Sequence, residues 1–366
     1  MGALASPIAL RAGIIGTGLM GGVHAHAVRG SGAILSRVAG SDPASSAEAT
    51  HRLGGRQPAD SAAELISAVD VDVVHICTPN ATHAELAEAA LAAGKAVICE
   101  KPLATSVADT ERLTALAESS GQVTAVPFVY RFYPAVREIR ARIAAGEAGV
   151  LWMLHGSYLQ DWLAGATDTN WRVDPTKGGS SRAFGDIGVH WCDLMEFVTG
   201  QRIARLVART ANAYTERGYA PALTEDGAVV IFETTQGATG SVVVSQVSPG
   251  RKNRLWFSFD GTQASYSFDQ ENPDTFWVGG TDENRTVLRG PDTLTDPEAR
   301  SYARLPAGHP QGYQDSFTAF VGDVYAAVAG TPREGLPTFA DGHRAAVITE
   351  AVLNSAKTNS WVEVPA

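Results

Sequence analysis

The order of apolar runs predicts an α/β protein in two parts. Over the first 127 residues, short apolar runs alternate with alanine-rich, helix-periodic stretches, the pattern of a parallel sheet with helical crossovers. After about residue 200, strand-like runs follow one another across short turns, the pattern of an antiparallel meander. A chain of 366 residues exceeds what one hydrophobic core usually serves, so a division into residues 1–127 and 128–366 is expected.

Leu10 to Ile15 reads as the first strand and Val23 to Val28 as helical. Between them stands Gly16-Thr17-Gly18-Leu19-Met20-Gly21, a G-x-G-x-x-G whose flanks turn a weak motif into a specific one. The first glycine permits a tight turn, the second lets backbone approach a pyrophosphate, and the third lets helix and strand pack closely. The helix N-terminus then offers amides and positive dipole to phosphates. The first part is therefore predicted to be a Rossmann dinucleotide-binding domain. Leu35 to Ala39 is the second strand, followed by Gly40-Ser41-Asp42. An acid here accepts from the ribose 2′-hydroxyl and favours NAD, and Asp42 has the right distance; Ser41, nearer the strand end, can contact a phosphate. NAD is preferred and NADP stays open.

Val69 to Cys77 reads as a buried strand ending in Thr78-Pro79-Asn80, and Thr82 to Ala93 as a helix stopped by Gly94. Ala96 to Cys99 returns to the sheet and delivers Glu100-Lys101-Pro102-Leu103. A charged pair at a strand's carboxyl end stands at the crevice where open α/β sheets bind ligands. Pro102 holds Lys101 extended, and X-Pro is where cis bonds concentrate. By itself the tetrapeptide also reads as a surface Glu-Lys. Thr110 to Ser119 is a further helix, and Val123 to Phe128 a last short strand.

In the second part, Pro134 to Ala145 reads as a helix and Leu151 to Gln160 as a strand. The loop from Gln160 to Trp171, Arg172 and Val173 mixes tryptophans with amides and charges. That suits a sugar, whose C–H faces lie on rings and whose hydroxyls bond polar groups, and equally suits a loop packed on its own domain. A helix is expected from about Asp186 to Thr199. Asp186 and His190, four apart, would share a face, with the carboxylate in the first turn and the imidazole tuned as a base. The alternative is a helix-start Asp and a core His, and Asp193 is a rival partner. No third ligand stands at metal spacing, so no metal is expected.

Strands follow at Gly227 to Thr234, Thr239 to Val247, Arg254 to Phe259, Ala264 to Phe268 and Phe276 to Val278, with Asp260-Gly261 as a hairpin signal. Helix 186–199 and the helix near Tyr313–Ala329 are expected to cover one face of this sheet. Trp256, Phe257, Phe259, Tyr266 and Phe268 would offer the other face to a second subunit. His309, on a Pro/Gly-punctuated loop, is placed within reach of the pocket, and Phe339 to Lys357 is the final helix.

Lys plus Arg is 29 and Asp plus Glu is 39, giving −10, a poor balance for nucleic acid or an anionic membrane. Cys77, Cys99 and Cys192 show no CxxC spacing and read as core residues in a reducing compartment. No apolar run approaches a membrane span, and Met1 to Ser6 lacks a signal peptide's basic start and apolar core, though it fits the loose myristoylation pattern. A cytoplasmic protein is expected.

Four features in order carry a resemblance: Gly16-Thr17-Gly18-Leu19-Met20-Gly21; Thr78-Pro79-Asn80 with His83; Glu100-Lys101-Pro102-Leu103-Ala104; and Gly185-Asp186-Ile187-Gly188-Val189-His190 with Asp193-Leu194. Nearly the whole chain resembles the Gfo/Idh/MocA family of nicotinamide-dependent oxidoreductases. The resemblance implies a Rossmann domain followed by an α/β domain with a large, mostly antiparallel open sheet, through which subunits form homodimers or homotetramers. It implies Lys101 near the nicotinamide, Asp186 and His190 as a D-x-x-x-H pair with His190 the acid/base, Thr78, Pro79, Asn80, His83 and Glu100 on the cofactor, and Tyr130 near substrate. Sugars, inositols and related polyols, oxidised at one hydroxyl, are the implied substrates. Glycoside cleavage by transient oxidation and elimination, or NAD(H) binding without catalysis, are the rival readings.

Overall fold

The computed structural model describes residues 9–217 and 220–365; the myristoylation-like Met1–Ser6 lies outside them. In chain order the first layer contains β1 (Arg11–Ile15), α1 (Leu19–Gly30), β2 (Ile34–Ala39), α2 (Pro43–Leu53), β3 (Gln57–Pro58), α3 (Ala62–Ser67), β4 (Val73–Ile76), α4 (His83–Ala92), β5 (Ala96–Cys99), α5 (Val107–Ser120) and β6 (Thr124–Ala125). The six strands form one parallel sheet in the order β3-β2-β1-β4-β5-β6. Because helices cover both faces, β4 and β5 are buried at every position, and their sequences are apolar runs with His75 as the one polar member.

Two expectations about this layer need correction, and two of its helices had no sequence signal. The strand expected from Val69 begins only at Val73, since Asp70 and Asp72 are drawn aside to Ser36, Arg37 and Arg11. The strand expected from Val123 to Phe128 has two residues; the Val126 amide instead donates to the Pro337 carbonyl, and the chain turns through a short helix at Val129–Phe132. Helices α2 and α3 carry Ala and Ser where an apolar stripe would have signalled them, yet each is capped, by Asp42 and Ser61.

The rest of the chain gives α6 (Pro134–Ala144), β7 (Leu151–Leu159), α7 (Pro175–Gly178), α8 (Val189–Thr199), β8 (Ile203–Ala211), β9 (Glu216–Arg217), β10 (Ala220–Pro221), β11 (Gly227–Thr234), β12 (Thr239–Ser245), β13 (Arg254–Gly261), β14 (Ser265–Asp269), β15 (Thr275–Gly279), β16 (Asn284–Leu288), α9 (Pro297–Tyr302), α10 (Tyr313–Val328), α11 (Phe339–Thr358) and β17 (Val362–Glu363). Nine strands form the second sheet, ordered β16-β15-β14-β13-β7-β12-β11-β8-β17 and antiparallel except at β7–β12. Asp260-Gly261 closes β13 itself; the reversal falls on the next residues, where the Gly261 amide donates to the Ala264 carbonyl at 3.0 Å.

Alternation along these strands sends Leu154, Phe232, Val242, Phe257 and Phe268 inward against α6, α8 and α11. Phe257, Phe259, Tyr266 and Phe268 therefore belong to this core, and of the five aromatics expected on the open face only Trp256 is there. That face instead exposes Trp152, Val229, Ile231, Val243 and Trp277. Helix α10 also departs from expectation. It packs on α1 and the first sheet, where Phe317, Phe320 and Val324 join Ala12, Ile14 and Val28 in one core.

The turn after β1 sets the geometry of everything that follows. Gly16 has φ +100°, and a Cβ there would stand 2.4 Å from the Cys77 carbonyl oxygen. Gly16→Ala is expected to lower the free energy of unfolding by about 1–3 kcal/mol in urea denaturation. An unchanged midpoint would contradict this account of the turn.

Candidate active site

Two cavities meet at Lys101. The larger, ≈ 710 Å³, follows the carboxyl ends of β1, β2, β4 and β5. Gly16, Thr17, Gly18, Leu19 and Met20 form one wall, and Thr78, Pro79, Asn80 and His83 another. No side chain caps α1 at Gly18, so its first-turn amides are free for an anion. A Cβ at Gly18 would meet no protein atom within 4 Å and would occupy the cleft. These features fit a bound dinucleotide. The His83 ring spans the Pro102 and Thr78 carbonyls at 2.8 and 2.9 Å and so ties two walls together.

Gly21 lies behind this cavity, where a Cβ would come within 2.2 Å of the Gly16 oxygen; its role is close packing. Ser41 lines the cavity but Asp42 does not. The Asp42 carboxylate accepts from the Ser45 amide at 2.9 Å and from the Ser41 hydroxyl, and these bonds hold it below the usual carboxylate range. The acid expected on the ribose is thus occupied as a helix cap.

The second cavity, ≈ 530 Å³, opens between the two sheets. Glu100, Lys101 and Arg172 line both cavities. Tyr130, Gln160, Asp186 and His190 line this one, and Trp171 lines only the dinucleotide cleft, with its ring against Arg172. His309 is exposed and lines neither, because its carbonyl is turned to Arg289 in the loop before α10.

Lys101, followed by a cis Lys101–Pro102 bond, reaches across to the second sheet's helices. Its Nζ donates to Asp186 Oδ1 at 2.5 Å and to the Asp186 carbonyl at 2.9 Å. An ammonium has three N–H donors, so one remains for a ligand. Asp186 Oδ2 accepts from Gln246 Nε2 at 2.7 Å, and Arg172 Nε stands 3.4 Å from Oδ1. Burial would raise the Asp186 carboxyl, but Lys101 and Arg172 outweigh it and hold it well below the usual range.

The local backbone explains this aim. Phe184–Gly188 forms one π-turn ahead of α8, so the four-residue spacing from Asp186 to His190 is not plain α-helix. Asp186 turns to Lys101 and Gln246 instead of His190. Asp193, the other expected partner, forms an ion pair with Arg131 and lines a separate cleft. His190 sits among the rings of Phe128, Tyr130 and Tyr158, and no hydrogen-bond partner among the described residues reaches its buried Nδ1. Burial, reinforced by the Lys101 charge and opposed by Asp186 and Glu100, lowers His190 to about 3. It is therefore a neutral imidazole.

Several lining residues carried no sequence signal of their own. Tyr158 donates to Asn253 Oδ1 at 2.7 Å, Gln160 Nε2 donates to the same oxygen at 2.7 Å, and Tyr130 hydrogen-bonds Tyr158. Trp162 donates to Gln160 at 2.8 Å, and Tyr313 closes the wall from α10. Tyr158 and Gln246 lay near the ends of expected strands, a positional clue and no more; Asn253 stands in a bend with no motif. Among the described residues no group of three or more His, Cys, Asp or Glu is placed to hold a metal ion.

Comparison with known proteins agrees with this architecture. Residues 10–128 match the oxidoreductase family with an NAD-binding Rossmann fold, and residues 136–267 match the GFO/IDH/MocA C-terminal domain. The levoglucosan dehydrogenase of Pseudarthrobacter phenanthrenivorans is 32% identical over 97% of this chain and 98% of its own. Inositol 2-dehydrogenase 2 of Saccharopolyspora erythraea is 28% identical over 96% and 94%. A levoglucosan dehydrogenase solved in complex with NADH and levoglucosan superposes with a TM-score of 0.91 at 31% identity, covering 97% of this chain and 99% of that one.

His190 gives the site a pH signature. The folded protein keeps it neutral down to about 3, whereas the unfolded chain takes up a proton below 6.5. Its contribution to stability is therefore present above 6.5 and is lost as pH falls from 6.5 toward about 3. His190→Gln should flatten stability against pH across that window in urea denaturation. An equal slope in wild type and variant would contradict the burial argument.

Proposed function

The chain belongs to the Gfo/Idh/MocA family of oxidoreductases, and from that premise we propose that it oxidises one hydroxyl of a sugar, anhydrosugar or inositol to a ketone. NAD, when bound, accepts the hydride from the carbon that carries this hydroxyl. The observation that carries the proposal is Lys101, which lines both cavities with one N–H donor unspent. We assign that donor to the substrate oxygen, where a fixed positive charge stabilises developing negative charge. His190, neutral and lining this cavity, takes the hydroxyl proton. Asp186 and Gln246 hold Lys101 in place, and His190 stands apart within its ring of aromatics. Tyr130, Tyr158, Gln160 and Asn253 offer a polyol both ring edges and hydrogen-bonding groups.

Ser41, in place of a carboxylate at the adenosine end, leaves room for a 2′-phosphate, so NADP is expected to serve beside NAD. The exposed apolar residues of the second sheet, Val229, Ile231 and Val243 among them, support a homodimer or homotetramer through that face. Among the described residues no helix is long and apolar enough to cross a membrane. Three free cysteines fit a cytoplasmic location.

Nicotinamide absorbance during incubation with levoglucosan, inositols and simple sugars, with product analysis for the ketone, tests the reaction. Silence across the panel with NAD binding intact would overturn it. Lys101→Ala and His190→Ala should each keep NAD binding in calorimetry and lose about 10²–10⁴-fold in kcat/KM. Near-normal turnover in either would remove that residue's role. In analytical ultracentrifugation the wild type should sediment as an oligomer and Ile231→Arg as a monomer; a monomeric wild type would contradict the interface.

A further inference from the structure

The carboxylate oxygen of Asp186 that Lys101 does not use opens onto a buried polar chain. Oδ2 accepts from Gln246 Nε2 at 2.7 Å, and Gln246 Oε1 accepts from Arg182 Nη1 at 3.3 Å. Arg182 Nη2 donates to Asp226 Oδ1, which also accepts from Arg217 Nη2 at 2.5 Å. Asp226 Oδ2 accepts from the Ala213 amide at 2.8 Å. Arg182 is 2% exposed, Asp226 1% and Gln246 not at all, and Arg182 lines neither the substrate cavity nor the dinucleotide cleft.

Arg182 is a costly residue for this place. Arg217 already supplies Asp226 with a counter-charge, and no hydrogen-bond partner among the described residues reaches the buried Arg182 Nε. What Arg182 alone provides is the donor on Gln246 Oε1. The backbone of Gln246 is fixed as well, its amide donating to the Asp226 carbonyl at 3.0 Å and its carbonyl accepting from the Leu163 amide at 3.2 Å. An amide has a donor end and an acceptor end. Turned over, it would set oxygen against the Asp186 carboxylate and N–H against the Arg182 guanidinium. It therefore has one orientation and acts as a strut. Glu225, next to Asp226, fixes the backbone ahead of Asp186, since its Oε1 accepts from the Ser181 hydroxyl at 2.7 Å and from the Phe184 amide at 2.9 Å.

We propose that Arg182, clamped by Asp226, is a positioning residue of the oxidation: through the Gln246 amide it holds the Asp186 carboxylate where Oδ1 aims Lys101 Nζ at the substrate oxygen. The proposal rests on the oxidation reading above. Lys101 pulls on one carboxylate oxygen from the first sheet, and the strut holds the other from the second. Without the strut the carboxylate turns about its Cβ–Cγ bond, and the lysine follows it. Arg182 reaches neither cavity, so it acts only through the amide.

Arg182→Met leaves Asp226 paired with Arg217, so the variant should fold and bind NAD in calorimetry. Its kcat/KM on levoglucosan or inositol, whichever is oxidised, should fall about 10–100-fold. Near-normal turnover would overturn the proposal. Gln246→Glu separates positioning from packing. Protonated, the new side chain donates to Asp186 as the amide does; ionised, it repels that carboxylate. The ionisable groups facing position 246 are Asp186, with Lys101, Arg172 and His190 about it, and Arg182, with Asp226, Arg217 and Glu225 about it. The ratio of this variant's kcat/KM to the wild type's should fall about tenfold as pH rises from about 6 to about 9. Arg182 favours the ionised form, so adding Arg182→Met should move that fall to higher pH by about one unit. A ratio independent of pH, or a fall that Arg182→Met leaves in place, would overturn the strut. If neither polyol is oxidised, the oxidation reading fails, and crystal structures of the Gln246→Glu protein decide the strut alone. Asp186 should keep its place at about pH 6 and turn from Lys101 at about pH 9; one position at both would overturn it.

Discussion

The buried ion pair between Lys101 and Asp186 joins the two halves of the site. Lys101 follows the fifth strand of the first sheet, and Asp186 precedes a helix that packs on the second. Removing two charges from water costs several kcal/mol per ion, and their attraction offsets this only with good geometry and further hydrogen bonds. Here the further bonds exist. Asp186 also accepts from Gln246 and lies beside Arg172, and Lys101 donates a second time to the Asp186 carbonyl. What remains unspent is one donor on Lys101, at the point where the two cavities join.

The pair also decides the state of His190. A positive charge nearby and a wall of aromatic rings both disfavour imidazolium, so the histidine stays neutral. In the proposed reaction, charge stabilisation and proton acceptance fall to different residues, and the carboxylate serves the lysine. On the other side of Lys101, Glu100 carries the complementary negative charge and lies 3.0 Å from His24 Nε2. Helix α10 supports both sides: Tyr313 closes the substrate wall and Tyr325 meets His75 of β4. A late helix packed on the first sheet therefore couples cavity shape to the nucleotide layer.

The legible part of the sequence was whatever local pattern encodes. The glycine turn, buried β4 and β5, and Glu100-Lys101-Pro102 all follow from apolar runs and their punctuation. Contacts made across the chain were not legible. Asp42 looked like a ribose ligand because distance along the chain cannot tell a ligand from a helix cap. Asp186 looked like the partner of His190 because one inserted residue in a π-turn leaves no mark on composition. Phe257, Phe259, Tyr266 and Phe268 looked like an interface because alternation gives two faces without saying which is covered. Helix α10 was assigned to the wrong sheet for the same reason, Gln246 looked like one more strand residue, and Asn253 reaches the site from a bend without any motif.

A double-mutant cycle in kcat/KM between Lys101→Met and Asp186→Asn, on the polyol the enzyme oxidises, tests the central claim most directly. If the carboxylate acts by holding the lysine, the double variant should be little worse than the worse single one, a coupling of about 1–3 kcal/mol. Losses that simply add would show that Asp186 and Lys101 act independently and would contradict the account.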